Sequence, residues 1–246
     1  MDLLASYDTA QIAVAVLATL GAAFVRGLTG FGFGFLLTPI LALALLPIQA
    51  VLLVNVLAFA LALAEIRYVL READRSALWI SGLLVLTVPV GLAALAATPP
   101  SLARVLIALS ACAAFVIVVW PRGAASTPGR AMTGATGLIA GLMTGFAAMP
   151  GISVVPYYVR QAMPRATAKA SMIGIFGVSA LASLATGAVT GRLDLRLLGL
   201  GALLFPMMVL GNWLGSLVFG RIEERTWRIW VALVLGGAAV AALSQL

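Results

Sequence analysis

The octapeptide Gly27-Leu-Thr-Gly-Phe-Gly-Phe-Gly34 is the stretch of this chain best suited to chemistry. Its glycines alternate with phenylalanines, and each Gly inside a helix costs about 1 kcal/mol relative to Ala, so a helix entering this segment breaks. A helix that restarts beyond the break presents unpaired N–H groups and the positive end of its dipole, which together favour an anion. A second segment, Thr144-Gly-Phe-Ala-Ala-Met-Pro-Gly151-Ile-Ser153, offers the same device again. Thr29, Gly30, Gly32 and Gly34 from the first segment, with Thr144, Gly145, Gly151 and Ser153 from the second, are therefore candidate substrate-binding residues. Close helix packing is the competing role for such glycines.

Polar groups inside or beside apolar runs add three further candidates: Asn55, Lys169 and Ser171. A polar side chain in such a place is either a ligand or glue between helices. Arg26 can face an anion or snorkel to lipid head groups, and snorkelling is the expectation taken here. Asn212 is a candidate of the same kind as Asn55, and Glu65, beside Arg67, reads as an interfacial residue. The Phe alternation is not a strand, because an open strand cannot sit in lipid. Nor is the Gly string a dinucleotide fingerprint, since it lacks a preceding strand and an acidic residue near +20.

Several chemistries are excluded by composition. The chain has no His and one Cys, Cys112, so a His-based metal site, a catalytic triad and an internal disulfide cannot be built. No acidic residue falls in the middle of an apolar run, which leaves no buried carboxylate for a proton relay or a general base. No enzyme, no metal and no cofactor is expected. The 15 Lys plus Arg against 8 Asp plus Glu give +7, yet the basic residues lie between apolar runs and read as loop charges, so nucleic acid is not a partner.

These candidates must be held by membrane elements. Hydrophobic residues make up 63% of the 246 and charged residues 9%, whereas soluble domains carry about 25% charged residues. The fold class is an all-α polytopic membrane protein with a single membrane domain spanning 1–246. A span needs about 20 apolar residues, and eight runs qualify, near 10–26, 48–66, 77–97, 102–120, 131–147, 166–190, 196–219 and 228–245. Two shorter stretches, 31–46 and 150–160, follow the Gly breaks and either cross or turn back, so eight to ten membrane elements are expected. The leader carries Asp2 and Asp8 but no basic residue, so the first run reads as a retained span rather than a signal peptide.

If each short stretch turns back, one side of the membrane collects Arg26, Arg67, Arg71, Arg75, Arg122, Arg130, Arg160, Arg165, Lys169, Arg221, Arg225 and Arg228. The other side receives Arg104, Arg192 and Arg196. Cytoplasmic loops carry the excess of Lys and Arg, which puts linker 121–130 inside and both termini on the periplasmic or extracellular side.

The chain also repeats itself. Thr29-Gly30-Phe31 matches Thr144-Gly145-Phe146, and Pro39, Pro47, Gly82 and Pro89 fall on Pro156, Pro164, Gly199 and Pro206 at an offset of 117. The halves are about 10–120 and 131–246. Each holds one Gly-broken helical hairpin and three further spans, so the second half starts from the opposite side and the repeats are inverted. Broken helices in inverted repeats are a transporter architecture, because the halves can rock about a site near the midplane.

The Gly-rich break after the first span, the downstream prolines, the polar linker and the second-half copy form one pattern. With the closing Gly211-Asn-Trp-Leu-Gly215 and Arg221-Ile222, it resembles the TauE/SafE family of membrane transporters, also described as sulfite exporters. The resemblance covers nearly the whole chain. It implies movement of sulfite or an organosulfur anion across the bacterial inner membrane, usually outward, with a small anion and the lipid bilayer as partners. Members often have a denser Gly run than Gly30–Gly34, and Ala147 and Ala148 stand where further Gly is expected. A non-transporting membrane subunit or assembly factor that binds partner helices is the alternative function.

Overall fold

The structure, a computed structural model, describes residues 7–29, 32–119, 128–218 and 236–244. Among them there is no strand. The helices are α1 (Thr9–Thr29), α2 (Phe33–Ala44), α3 (Pro47–Ala64), α4 (Ile66–Glu72), α5 (Ser76–Ala97) and α6 (Pro100–Val119). They are followed by α7 (Arg130–Ala147), α8 (Gly151–Val159), α9 (Arg165–Val189) and α10 (Leu195–Val218), with a further helical segment at 236–243. Half of the expected run 228–245 therefore lies outside the described residues, as does most of linker 121–130.

Local sequence explains several boundaries. Pro47 opens α3, where its fixed φ and missing N–H do no harm. The Leu46 N–H just before it donates to the Gln49 side chain at 3.4 Å. The Asp74 carboxylate accepts the Ser76 N–H at 2.8 Å and so supports the start of α5. Pro164 immediately precedes α9.

Among the described residues, six stretches are long and apolar enough to cross a bilayer: Thr9–Leu28, Pro47–Ala64, Ser76–Ala97, Pro100–Ile117, Arg165–Val189 and Leu195–Val218. Helix α7 matches the expected run 131–147 but is rich in Gly and Thr and is less apolar. Leu17, Leu78, Trp79 and Leu86 are each about two-thirds exposed or more. An apolar exterior of this kind is a liability in water and the required surface in lipid.

The two short helices double back. Gln11, at the start of α1, donates through Nε2 to the carbonyl of Ala44 at the end of α2 (2.8 Å). In the second hairpin, the hydroxyls of Thr133 near the start of α7 and Tyr157 near the end of α8 are 2.9 Å apart. With 12 and 9 residues, α2 and α8 are about 18 and 14 Å long, well short of a hydrocarbon core of about 30 Å. Their N-terminal ends therefore lie deep in the bundle.

Glycines set the closest contacts. Cβ atoms on Gly211 and Gly215 of α10 would strike the carbonyls of Leu20 and Phe24 on α1. Likewise, Cβ atoms on Gly141 and Gly145 of α7 would strike those of Leu84 and Val88 on α5. Both seams rise together in residue number, so α1 runs parallel to α10 and α5 parallel to α7. Helix α3 runs antiparallel to α9, since Gly187 meets Leu52 while Gly177 meets Ala62. Small residues are what allow backbones to approach so closely without a hydrophobic drive between helices.

Candidate functional site

Two chain breaks meet at the centre of this frame. Before α2, Gly32 takes φ +99°, a left-handed conformation that a side chain would strain. The first backbone bond of α2 runs from the Leu36 N–H to the Gly32 carbonyl (3.3 Å), so the N–H groups of Phe33, Gly34 and Phe35 are left without a helical acceptor. After α7, Ala148 is also left-handed (φ 55°, ψ 37°), and the chain turns through Met149 and Pro150 into α8. The N–H groups of Ala148 and Met149 cap the end of α7 on the carbonyls of Thr144 (2.9 Å) and Met143 (3.1 Å). The breaks touch: a Cβ on Gly34 would run into the Ala148 carbonyl oxygen.

Between them lies a cavity of about 80 Å³. Since about 10–15 Å³ in this measure holds a water, it has room for several waters or one small oxyanion. Gly32 and Gly34 line it from the first break, and Ala148, Pro150 and Gly151 from the second. The N-terminal ends of α2 and α8 thus share one space, and the positive end of each dipole favours an anion there.

Among the described residues, Arg26 is the charged one on this wall. Its Nη1 donates to Asn212 Oδ1 on α10 (2.8 Å) and its Nη2 meets Glu65 Oε1 at 3.4 Å. The Arg26 and Glu65 side chains are 12% and 26% exposed. One expectation is corrected here. Arg26 does not snorkel to a surface but faces the cavity; Glu65, at the end of α3, is its partner. The cause is the crossing of α1, α3 and α10, which presents a neutral acceptor and an acid to one guanidinium.

The remaining sequence candidates are dispersed. Asn55 lines the cavity, but its Nδ2 hydrogens are engaged by the Val51 carbonyl (2.9 Å) and Ser183 Oγ (3.1 Å). It joins α3 to α9 and has no donor left for an anion. Thr144 donates to the Ala140 carbonyl (2.7 Å), and Gly145 is packed against the α5 backbone at Val88. Ser153, although in the first turn of α8, donates to the Thr136 carbonyl (3.1 Å) and does not line the cavity. Ser171 accepts the Asp74 N–H (2.8 Å), and Lys169 is exposed with Nζ 5.8 Å from the Tyr68 ring centre. Gly30 and the Thr29 side chain lie outside the described residues.

Sequence reasoning passed over Ser179, whose hydroxyl donates to the Phe176 carbonyl (2.9 Å) at the cavity wall. No local signal marks it among the serines of α9. A second, polar cavity of about 290 Å³ sits near the start of α1 and the end of α2, lined by Tyr7, Gln11, Gln49, Arg104, Asp194 and Arg196 among others. Among the described residues no group of His, Cys, Asp or Glu is arranged to hold a metal ion.

Comparison with known proteins gives one result that bears on this geometry. A family model described as sulfite exporter TauE/SafE matches residues 15–242. No curated protein and no solved structure matches the chain.

Proposed function

The chain belongs to the TauE/SafE sulfite exporter family of transmembrane transporters, and on that premise we propose that it exports sulfite or a small organosulfur anion across the bacterial inner membrane. The observation that carries this reading is the shared cavity: two broken hairpins point their N-terminal helix ends into it, and the cation on its wall is Arg26. Backbone N–H groups and one guanidinium recognise an oxyanion without a metal. An inside-negative potential drives a single negative charge outward at about 2.3 kcal/mol per 100 mV, so export needs no coupling ion.

The halves 10–120 and 131–246 act in this reading as inverted repeats. The first helix of each half lies parallel to a long helix of the other, α1 with α10 and α7 with α5, and α3 and α9 cross antiparallel between them. Pro39 and Pro156 both fall inside the short return helices. Rocking of one half against the other would expose the shared cavity to either side in turn. Linker 121–130 is placed in the cytoplasm and both termini outside, with reporter fusions at residue 125 and at the C terminus as the check.

Flux of sulfite from loaded proteoliposomes tests the function. Arg26→Gln and Gly151→Leu, one removing the charge and the other filling the cavity, should each lower the rate by about tenfold or more. Unchanged rates in correctly inserted variants would remove the cavity from the pathway. A purified chain that moves no anion at all would favour the non-transporting subunit.

A further inference from the structure

Arg26 lines the cavity, whereas Glu65, which neutralises it, does not. The acid comes from the junction of α3 and α4, and Asn212 of α10 engages the other terminal nitrogen of Arg26 without adding charge. Of the other described charges near this end, Arg67, Arg71 and Lys169 are exposed and so are screened by solvent and salt, and the half-buried Glu72 lies at the far end of α4, where it acts on Tyr68. Among the described residues, the side-chain charge at the cavity wall is thus the sum over a single pair.

We propose that Glu65 fixes the charge of the anion this cavity accepts, favouring singly over doubly charged oxyanions. The inference rests on the cavity being the anion site. With Glu65 ionised, the pair sums to about zero and the remaining positive potential is that of two helix ends, about +0.5 each. One negative charge balances that. A second would stand uncompensated in a wall that, apart from Asn55 and Ser179, is apolar and would also face the Glu65 carboxylate across the guanidinium, both unfavourable away from water. Without the carboxylate the sum rises by one and a dianion becomes matched. Selection against the wrong charge by a fixed like charge is discrimination by repulsion rather than by added contacts.

Binding of methanesulfonate, which carries one charge, and sulfate, which carries two, to the purified full-length chain at pH 7 tests this by calorimetry. The wild type should prefer methanesulfonate by about tenfold or more, and Glu65→Gln should move the ratio toward sulfate by at least about tenfold. The double variant Arg26→Gln/Glu65→Gln restores the wild-type charge sum, so its preference should return to methanesulfonate although both anions bind more weakly. Glu65→Ala repeats the single-variant test without the amide. If Arg26→Gln weakens methanesulfonate binding but both Glu65 variants keep the wild-type ratio, charge selection is overturned and the site stands. Equal loss of both anions in a well-folded Glu65→Gln protein would also overturn it, because Glu65 would then only hold Arg26 in place. If the wild type binds neither anion, the cavity reading fails first and takes this inference with it.

Discussion

Gly34→Ala and Gly151→Ala add the same methyl group on opposite sides of one cavity, and the surroundings separate them sharply. At Gly34 the new Cβ would overlap the carbonyl oxygen of Ala148, a backbone atom in a capped turn that cannot rotate away. Restoring an ordinary contact of about 3.5 Å forces the two breaks apart. Overpacking of this kind costs about 1–3 kcal/mol, equivalent to a fall in Tm of roughly 2–12 °C for a chain of this size. Since the N-terminal ends of α2 and α8 would separate, a binding geometry displaced by about 1 Å should also lose flux by up to 100-fold. At Gly151 the added methyl would meet Val155 Cγ2 at 3.5 Å and Phe176 Cζ at 3.8 Å, both ordinary contacts. That variant should stay within about 0.5 kcal/mol of wild type. Thermal unfolding in detergent and sulfite flux in proteoliposomes read both quantities. Equal behaviour of the two variants, whether both silent or both inactive, would refute the claim that the breaks abut at Gly34 and Ala148.

Three further outcomes follow from individual sites. Ala148 holds a left-handed conformation without being glycine, so Ala148→Gly should raise unfolding stability by about 1 kcal/mol; a loss of stability would mean that the turn carries no strain. Gly141→Ala should destabilise by about 1–3 kcal/mol, since its Cβ would collide with the Leu84 carbonyl and the Thr87 hydroxyl, while Gly82→Ala on the open face of α5 should be neutral or gain up to about 1 kcal/mol of helix propensity. Hydrogen bonds from Ser76, side chain first and then backbone, hold the Asp74 carboxyl below the usual carboxylate range. A depressed folded value stabilises the fold above the ordinary carboxylate value near 3.9 and loses that contribution as pH falls through the lower folded one. Melting curves between pH 3 and 6 should therefore drop more for wild type than for Asp74→Asn; identical curves would count against the cap at the start of α5.

The sequence alone determined the local features. Apolar runs of about 20 residues must become helices in lipid, because every backbone group needs a partner within its own segment. The runs 48–66, 77–97 and 102–120 correspond closely to α3, α5 and α6 for that reason. The Gly breaks were readable too, since the cost of glycine in a helix is paid wherever the chain goes, and α1 ends and α2 begins within that octapeptide. Membership of the family was visible because its pattern runs the length of the chain.

Which side chains face the break was not local. Lys169 and Ser171 look as well placed as Arg26 in sequence, yet the packing of α9 turns them toward Tyr68 and Asp74, while α1 carries Arg26 to the cavity wall. Glu65 reaches Arg26 from 39 positions along the chain, and Asn212 from 186. A charge in an apolar environment takes its meaning from its nearest partner, and the distance to that partner is fixed only when helices from both halves have packed.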